Sequence, residues 1–413
     1  LPPLRVATAQ ASSPLDLRSA LTMARQSGPL LRLAQARRDI SVGRARELSQ
    51  LPNPTVEWRR ENLGSSLQPD IFATVYVPLD VTGRRLALTQ ATASARQRAA
   101  ADAESERRDA DVEVARAWLH AALTHGALDI ARQQQEALRE IATVDAARLR
   151  EGLVAEAVGL RTSLEADRAR VTVVAASADA LQARTQLARL LGMGEGALPS
   201  LARMDAPALP ALPDSSAVVA LAMRLRPDVQ AREAALREAE RRAAAERRGL
   251  IGDVQLQGGT KETSGFLTGQ IGLAVPFPAF NRNDGARQRT SGELAEARVL
   301  RDDVRLAAAG SVSAAWHHYA QVRAAAADAA TFGARGRDVA RIARVAYREG
   351  HVTLTELLDA ERAASDAMLA QLRWVSDAWM ARLELERAIG ARLDDAGPLD
   401  LPLLSTSLSP GTP

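Results

Sequence analysis

The 413-residue chain contains no cysteine, which removes disulfides, thiolate metal sites and cysteine nucleophiles together and leaves the redox compartment unspecified. Aromatic residues are scarce, at 3%. The apolar share of 46% rests on alanine and leucine, side chains that pack helices closely but offer little to a ring-lined ligand pocket. That argues against an ordinary globular enzyme. No run approaches the roughly 18 apolar residues of a membrane-spanning helix. Lysine is almost missing: Lys261 is the single one among 53 basic residues, which 50 acidic residues balance to a net charge of +3. Charges alternate in sign along the predicted helices, whereas a nucleic-acid binder concentrates positive charge on one face with aromatics between; nucleic acid is therefore excluded as a partner. The opening Leu1-Pro2-Pro3 has no basic stretch followed by an apolar one, so a targeting segment either is absent or precedes these residues.

What is present is a folded composition, with 25% charged residues, and an internal repeat. The two halves align without a gap at an offset of 198 residues. Pro29 pairs with Pro227, Pro78 with Pro276, Ala117-Trp118 with Ala315-Trp316, His120 with His318, Arg150-Glu151-Gly152 with Arg348-Glu349-Gly350, and Gly192 with Gly390. Alanine-rich helices produce chance matches of Ala and Arg, but they do not place Pro, Trp, His and Gly in register. The chain is a tandem duplication.

Each copy predicts the same elements. In the first, a helical stretch runs from Leu17 to Leu51 and stops at Pro52-Asn53-Pro54. Strands follow at Thr55 to Asn62 and Ile71 to Leu79, forming a hairpin over 55–80. In the second hairpin, over 253–278, Leu267, Gly269, Ile271, Leu273 and Val275 alternate with Thr268, Gln270, Gly272 and Ala274. Uninterrupted helices are predicted over 85–150 and 286–348. Val304, Ala308, Val312, Ala315, Tyr319, Val322 and Ala326 recur at helical spacing. A helix of some 60 residues is on the order of 90–100 Å long, far beyond a globular core, and needs neighbours along its length as in a coiled coil. Return helices over 155–191 and 354–389 end at Gly192 and Gly390. The expected layout is an extended segment over 1–16, repeat 1 over 17–195, a linker over 196–214, repeat 2 over 215–391 and an extended segment over 392–413.

Two strands per copy make an open sheet whose edges aggregate in water and are forbidden in lipid. Strands of this length with one apolar face suit a transmembrane barrel, which needs at least about eight of them. One chain cannot supply that number. The expectation is a homo-oligomer of cyclic symmetry that pools its strands into one barrel and its helices into a tube. A periplasmic coiled-coil scaffold would explain the helices, but not the strand pairs at matching places in both copies.

The chain resembles the outer-membrane factors of tripartite efflux pumps, the outer membrane efflux protein family typified by the TolC channel-tunnel. The resemblance runs from Leu17 to Gly390 and rests on Val77-Pro78-Leu79-Asp80-Val81-Thr82-Gly83-Arg84-Arg85, Gly152-Leu153-Val154-Ala155, Leu225-Arg226-Pro227-Asp228, and Tyr347-Arg348-Glu349-Gly350 leading to Glu356-Leu357-Leu358-Asp359-Ala360. Within the family the chain is most similar to the component serving cobalt-zinc-cadmium exporters. The resemblance implies a mainly α fold with a small β part, in which long coiled-coil helices form an α-barrel and four strands per protomer of a trimer form one shared β-barrel. It further implies a location in the outer membrane of a Gram-negative bacterium, amid outer-membrane lipid, with a long periplasmic portion. A periplasmic adaptor and a proton-driven inner-membrane pump of the RND type are the implied partners. The function it implies is passive conduction of expelled solute, divalent heavy-metal cations first and drugs or peptides as the alternative, with no cofactor and no enzymatic step.

The family pattern maps the acids of the periplasmic aperture onto Glu356 and Asp359 and an aperture aromatic onto Tyr347. The turns Arg150, Glu151, Gly152 and Arg348, Glu349, Gly350 map onto the adaptor-docking ends. Two positions depart from the pattern: the acidic one after Gly152 is Val158 and the basic one after Gly350 is Val352. The closing ion link of the type member is therefore absent. Glu356 and Asp359 lie one turn apart on one helix face. Three copies facing a narrow pore would make a ring of six carboxylates that favours cations and resists full ionisation; the alternative is a solvated early turn, where acids suit the helix dipole.

Other candidates lead to structure rather than chemistry. His317 and His318 diverge by about 100° on a helix and cannot share an ion. His120, His125 and His351 have no histidine one turn away, so no metal site is expected. Gly192-Met193-Gly194-Glu195-Gly196 follows a helix rather than a strand and reads as a turn, not a phosphate loop. Trp58 and Tyr76 suit either a membrane interface or half-buried strand packing.

Overall fold

The computed structural model describes residues 14–61, 69–249, 252–280 and 282–393. They form a mainly helical protein with one small sheet. Two compact units result, one made of Leu1–Ala34, Glu106–Leu225 and Ala309–Pro413, the other of Gln35–Ser105 and Arg226–Ala308. The units do not follow the repeats, since each draws on both copies. Most of the extended segments expected at the two ends lies outside the described residues.

The helical stretch expected over 17–51 is two helices, α1 (Leu17–Ser27) and α2 (Pro29–Glu47). The second copy breaks at the same place, between α5 (Ser215–Leu225) and α6 (Pro227–Arg248). Proline is the cause. Its ring pushes the preceding residue out of the helical region, and its missing N–H is harmless only at a first helical position. Gly28 and Arg226 are accordingly extended, at φ −64°, ψ 139° and φ −69°, ψ 123°.

Between those helix pairs and the long helices lie β1 (Thr55–Arg60), β2 (Ile71–Leu79), β3 (Val254–Thr263) and β4 (Phe266–Ala274). The first strand ends two residues earlier than expected, and Asn62 lies outside the described residues. All four pair antiparallel in the order β1-β2-β3-β4. The two copies meet in the middle, where Ile71 faces Glu262 and Leu79 faces Val254. The β3–β4 turn holds Ser264 and Gly265 at φ 51° and 83°, the left-handed pair that matches the twist of a two-residue hairpin. Among the described residues, strands β1 and β4 each have only one neighbour. Apolar side chains point into solvent from this sheet, Ile271 at 84% exposure.

The long helix α3 (Arg84–Arg150) is continuous and returns as α4 (Glu156–Leu191). Its second-copy counterpart, expected unbroken over 286–348, is divided at Ala325 into α7 (Asp284–Ala324) and α8 (Ala326–Arg348). Ala325 remains close to helical, at φ −82°, ψ −2°, and no side chain of the Ala324–Ala327 run explains the break. Helix α9 (Leu354–Ile389) closes the copy.

The duplication is visible in the core of the first unit. Trp118 Nε1 donates to the Leu15 carbonyl at 3.0 Å and Trp316 Nε1 to the Pro213 carbonyl at 2.9 Å, equivalent bonds from equivalent residues. Arg184 binds the carbonyls of Leu198 and Pro199, and Arg382, its counterpart, those of Ala208 and Leu393. Buried main-chain oxygens need such partners wherever the chain leaves regular structure. Gly192 and Gly390 end α4 and α9 in the left-handed conformation, at φ 72° and 79°, which glycine adopts without steric cost.

Candidate functional site

The candidate residues lie where α3 turns into α4 and α8 into α9, all in the first unit. The two turns have the same construction. Gly152 and Gly350 take φ of 76° and 79°, Leu153 N donates to Arg148 O and His351 N to Ala346 O, both at 2.8 Å. This is the glycine-ended cap that satisfies the last helical carbonyls. A Cβ at either glycine would meet no atom within 4 Å. Backbone conformation alone therefore requires them. Arg150, Glu151 and Glu349 are exposed around these turns.

The return helices start differently. Thr353 Oγ1 accepts from Glu356 N at 3.3 Å, and the Glu356 carboxylate accepts from Thr353 N at 2.7 Å and Thr353 Oγ1 at 2.9 Å, the reciprocal capping box. These bonds hold the Glu356 carboxyl below the usual range for a glutamate. Glu356 thus caps the helix it begins. Asp359 is exposed, with Arg362 Nη1 3.8 Å away. At the matching start of α4, Ala155 supplies no side-chain cap, and Val158 stands where α9 has Glu356.

Tyr347, expected at an aperture, is 8% exposed. It packs with Leu138, Ile141, Leu354, Leu357 and Leu358. Its hydroxyl donates to both oxygens of Asp145 at 2.9 and 3.0 Å. Sequence reasoning missed Asp145, which is fully buried. Burial raises its carboxyl above the ordinary aspartate value, opposed by the Tyr347 hydroxyl and by Arg148, while burial and Asp145 together push the tyrosine up to about 12. Arg148 lies over the Tyr347 ring, 5.4 Å from its centroid, and donates to the Arg348 carbonyl at 2.9 Å. Helices α3 and α8, one from each copy, are joined here.

Further ties link the hairpins. Arg161 donates to Thr355 Oγ1 at 3.2 Å, and Arg362 to Glu165 at 3.0 Å. Within the second hairpin, Arg344 makes a two-pronged bond to Glu361, whose carboxylate is 3% exposed. The strong hydrogen bond to that buried acid and the negative charges of Glu361 and Glu140 outweigh desolvation and raise the guanidinium's pKa further. Gly333 and Gly336 let α8 approach α9: a Cβ on Gly336 would lie 2.7 Å from the Ala367 Cβ and 3.2 Å from the Ala364 backbone. Two glycines three apart inside a helix were a legible signal, because they weaken the helix unless something must come close.

Among the described residues no group of three or more His, Asp or Glu side chains is placed to hold a metal ion. His125, His318 and His351 each lie 3.6–3.9 Å from one carboxylate at the surface. No helix of the described residues is long and apolar enough to cross a membrane. Trp58 is exposed on the sheet, and Tyr76 donates to Glu57 at 2.6 Å.

The family model described as outer membrane efflux protein matches residues 20–193 and again 218–391. The chain belongs to the outer membrane efflux protein family. The two matched segments stand 198 residues apart, the offset of the internal repeat. This family member is 23% identical over 389 residues to the cobalt-zinc-cadmium resistance protein CzcC of Cupriavidus metallidurans, covering 92% of the chain and 91% of that protein. Its fold is similar to that of the outer membrane protein VceC of Vibrio cholerae, with TM-score 0.75 and 18% identity over 92% of the chain and 97% of VceC. The Campylobacter jejuni CmeC outer membrane channel also gives TM-score 0.75, at 14% identity over 96% and 95% of the two chains. As an outer membrane efflux protein of TolC-like fold, it is placed in the outer membrane of Gram-negative bacteria, its long helices in the periplasm.

Proposed function

We propose that this protein is the outer-membrane channel of a tripartite RND-type efflux pump and passively conducts divalent heavy-metal cations out of the cell. The open four-stranded sheet carries the reading. Its two edges leave main-chain donors and acceptors that lipid cannot satisfy, and its exposed apolar side chains need lipid or protein around them. A trimer that closes twelve strands into one barrel removes both costs. The similarity to CzcC supports metal cations as the cargo; drugs or peptides are the second reading, because no metal-holding group among the described residues ties the duct to cations. The turns at Gly152 and Gly350 are the docking ends for a periplasmic adaptor, and Asp359, exposed and one turn from the committed Glu356, is the acid offered to the pore.

Purified protein should run as a trimer in detergent and produce cation-selective steps in planar bilayers. Asp359→Asn should weaken that selectivity, and unchanged reversal potentials in a salt gradient would overturn the assignment of this acid. A strain lacking the protein should become sensitive to cobalt, zinc or cadmium salts. Full resistance to all three would remove the metal reading, and a monomer soluble in buffer would remove the channel.

A further inference from the structure

Away from the hairpin ends, the first unit contains a cavity of about 560 Å³ between α1, the Arg107–Val112 part of α3, the end of α9 and residues 391–393. Its wall has two characters. Leu17, Leu21, Val112, Leu383 and Leu393 form an apolar part beside Trp379, and seven arginines against Asp111 and Glu386 form the rest. Most of these guanidinium groups are fixed in place. Arg382, buried at the base, is bonded to Glu386 and to the carbonyls of Ala208 and Leu393. Arg25 grips Asp111 with two bonds, and Arg107 reaches the same carboxylate at 3.2 Å. Arg387 is held by Asp109 at 2.7 Å. Arg108 is bonded to the Gly390 carbonyl. Arg18 and Arg392, by contrast, act on their acidic neighbours only through longer-range attraction, Arg18 on Asp16 and Arg392 on Glu386.

Like charges gathered in a concave, partly apolar site repel one another and focus a positive field into it. The acids Asp109, Asp111 and Glu386 offset part of this charge, and the positive surplus that remains favours an anion in the cavity. Guanidinium forks match carboxylate and phosphate oxygens two at a time, and the volume lies in the range of small-molecule sites. We propose that this cavity binds an anionic ligand that carries a phosphate or carboxylate group beside an apolar portion, with the acid received by Arg18 and Arg392 and the apolar part laid against Trp379 and the leucines. The site is separate from the conduction reading and does not depend on it.

Phenyl phosphate and hippurate are suitable soluble probes, with inorganic phosphate and benzyl alcohol as the halves of the ligand, titrated calorimetrically into the full-length protein in detergent. Saturable binding at one probe per protomer is expected, at least tenfold tighter for phenyl phosphate or hippurate than for inorganic phosphate, absent for benzyl alcohol, and weakening as salt rises. Arg18→Gln with Arg392→Gln should lower the affinity tenfold or more while changing the melting temperature by only a few degrees, because both side chains act on their acidic neighbours through longer-range attraction alone. Arg298→Gln, elsewhere on the surface, should leave binding intact. Failure of both anions to saturate would overturn the proposal, as would equal affinity in the double variant. The chain itself continues from Leu393 into Asp394-Asp395, so the titration is repeated with both changed to Asn. Binding that emerges only in that variant would replace an external ligand by the protein's own acids and overturn the proposal in that way.

Discussion

The hairpins α3–α4 and α8–α9 descend from one duplicated sequence, share the same glycine turn, and are built differently along their stems. In the second, Gly336 brings α8 against Ala364 and Ala367 of α9, and Arg344 locks onto the buried Glu361. In the first, the positions equivalent to Gly333 and Gly336 are Gln135 and Leu138. Leu138 is buried in the cluster that surrounds Tyr347. A buried leucine at one position and a bare hydrogen at its equivalent make the two hairpins pack differently at this level. The α8–α9 pair is closed tightly by contacts of its own. Asp145, Arg148, Arg161 and Glu165 of α3 and α4 tie the two hairpins together across the copies.

That contrast can be broken most severely at Leu138. Leu138→Gly removes a buried side chain and adds a helix-interior glycine, and should cost about 4 kcal/mol, read as a lowered unfolding midpoint of the detergent-solubilised protein. A loss below ~1 kcal/mol would show that the spacing is held by something else. The reverse change, Gly336→Leu, forces α8 off α9 and should cost roughly 2–3 kcal/mol, with faster amide exchange confined to the facing stretches of those helices. Slower exchange there would contradict the close-approach account.

Cutting the links between copies should have smaller effects. Tyr347→Phe leaves the buried Asp145 without its hydroxyl donor, at a cost of about 1–2 kcal/mol near neutral pH. The sign with pH follows from the raised carboxyl. In the native protein, ionising Asp145 costs stability, so its contribution is full below the unfolded value of 3.8 and is lost as pH rises through the higher native value. Removing the hydroxyl deepens that loss only where Asp145 is ionised. The deficit of the variant should therefore fade as pH falls toward 3.8, and a deficit that grew with acid would refute the link.

The smallest expected change would make the first copy more like the second. Ala155→Thr with Val158→Glu supplies α4 with the cap that α9 already has, and should stabilise it by under ~1 kcal/mol. In α9 itself the carboxyl of Glu356 is depressed, so its capping contribution is present above the ordinary glutamate value and disappears as pH falls through the lowered one. Helical content near the start of both return helices should then respond to acid in the double variant and near the start of α9 alone in the parent.

Much of this was legible beforehand. The strand Ile71–Leu79, the turn glycines, the helix stops and the constant offset follow from residues whose effect is local: proline removes an N–H, glycine permits positive φ, and alternation places side chains on two faces. Local rules also explain the misreadings. Pro29 and Pro227 are equivalent positions of the repeat, yet the stretch around Pro29 reads as continuous helix because periodicity outweighs one breaker when neighbours are not considered. Asp145 gave no signal, because an aspartate in a charged helix looks solvated until another helix covers it. Glu356 and Tyr347 stood out as site residues by resemblance, but a motif does not record the hydrogen bonds they make inside the protomer.

The sequence by itself determined that the chain is duplicated, mainly helical, and short of the strands needed to close a sheet, since composition, period and turn chemistry act within a few residues. Only the tertiary structure decided that Tyr347 and Asp145 share a hydrogen bond across the two copies, that Glu356 caps its own helix, and that arginines from three separate stretches surround one cavity. Those outcomes depend on which faces of distant helices meet, and burial, which sets the energy of a charge or a hydrogen bond, exists only once they have met.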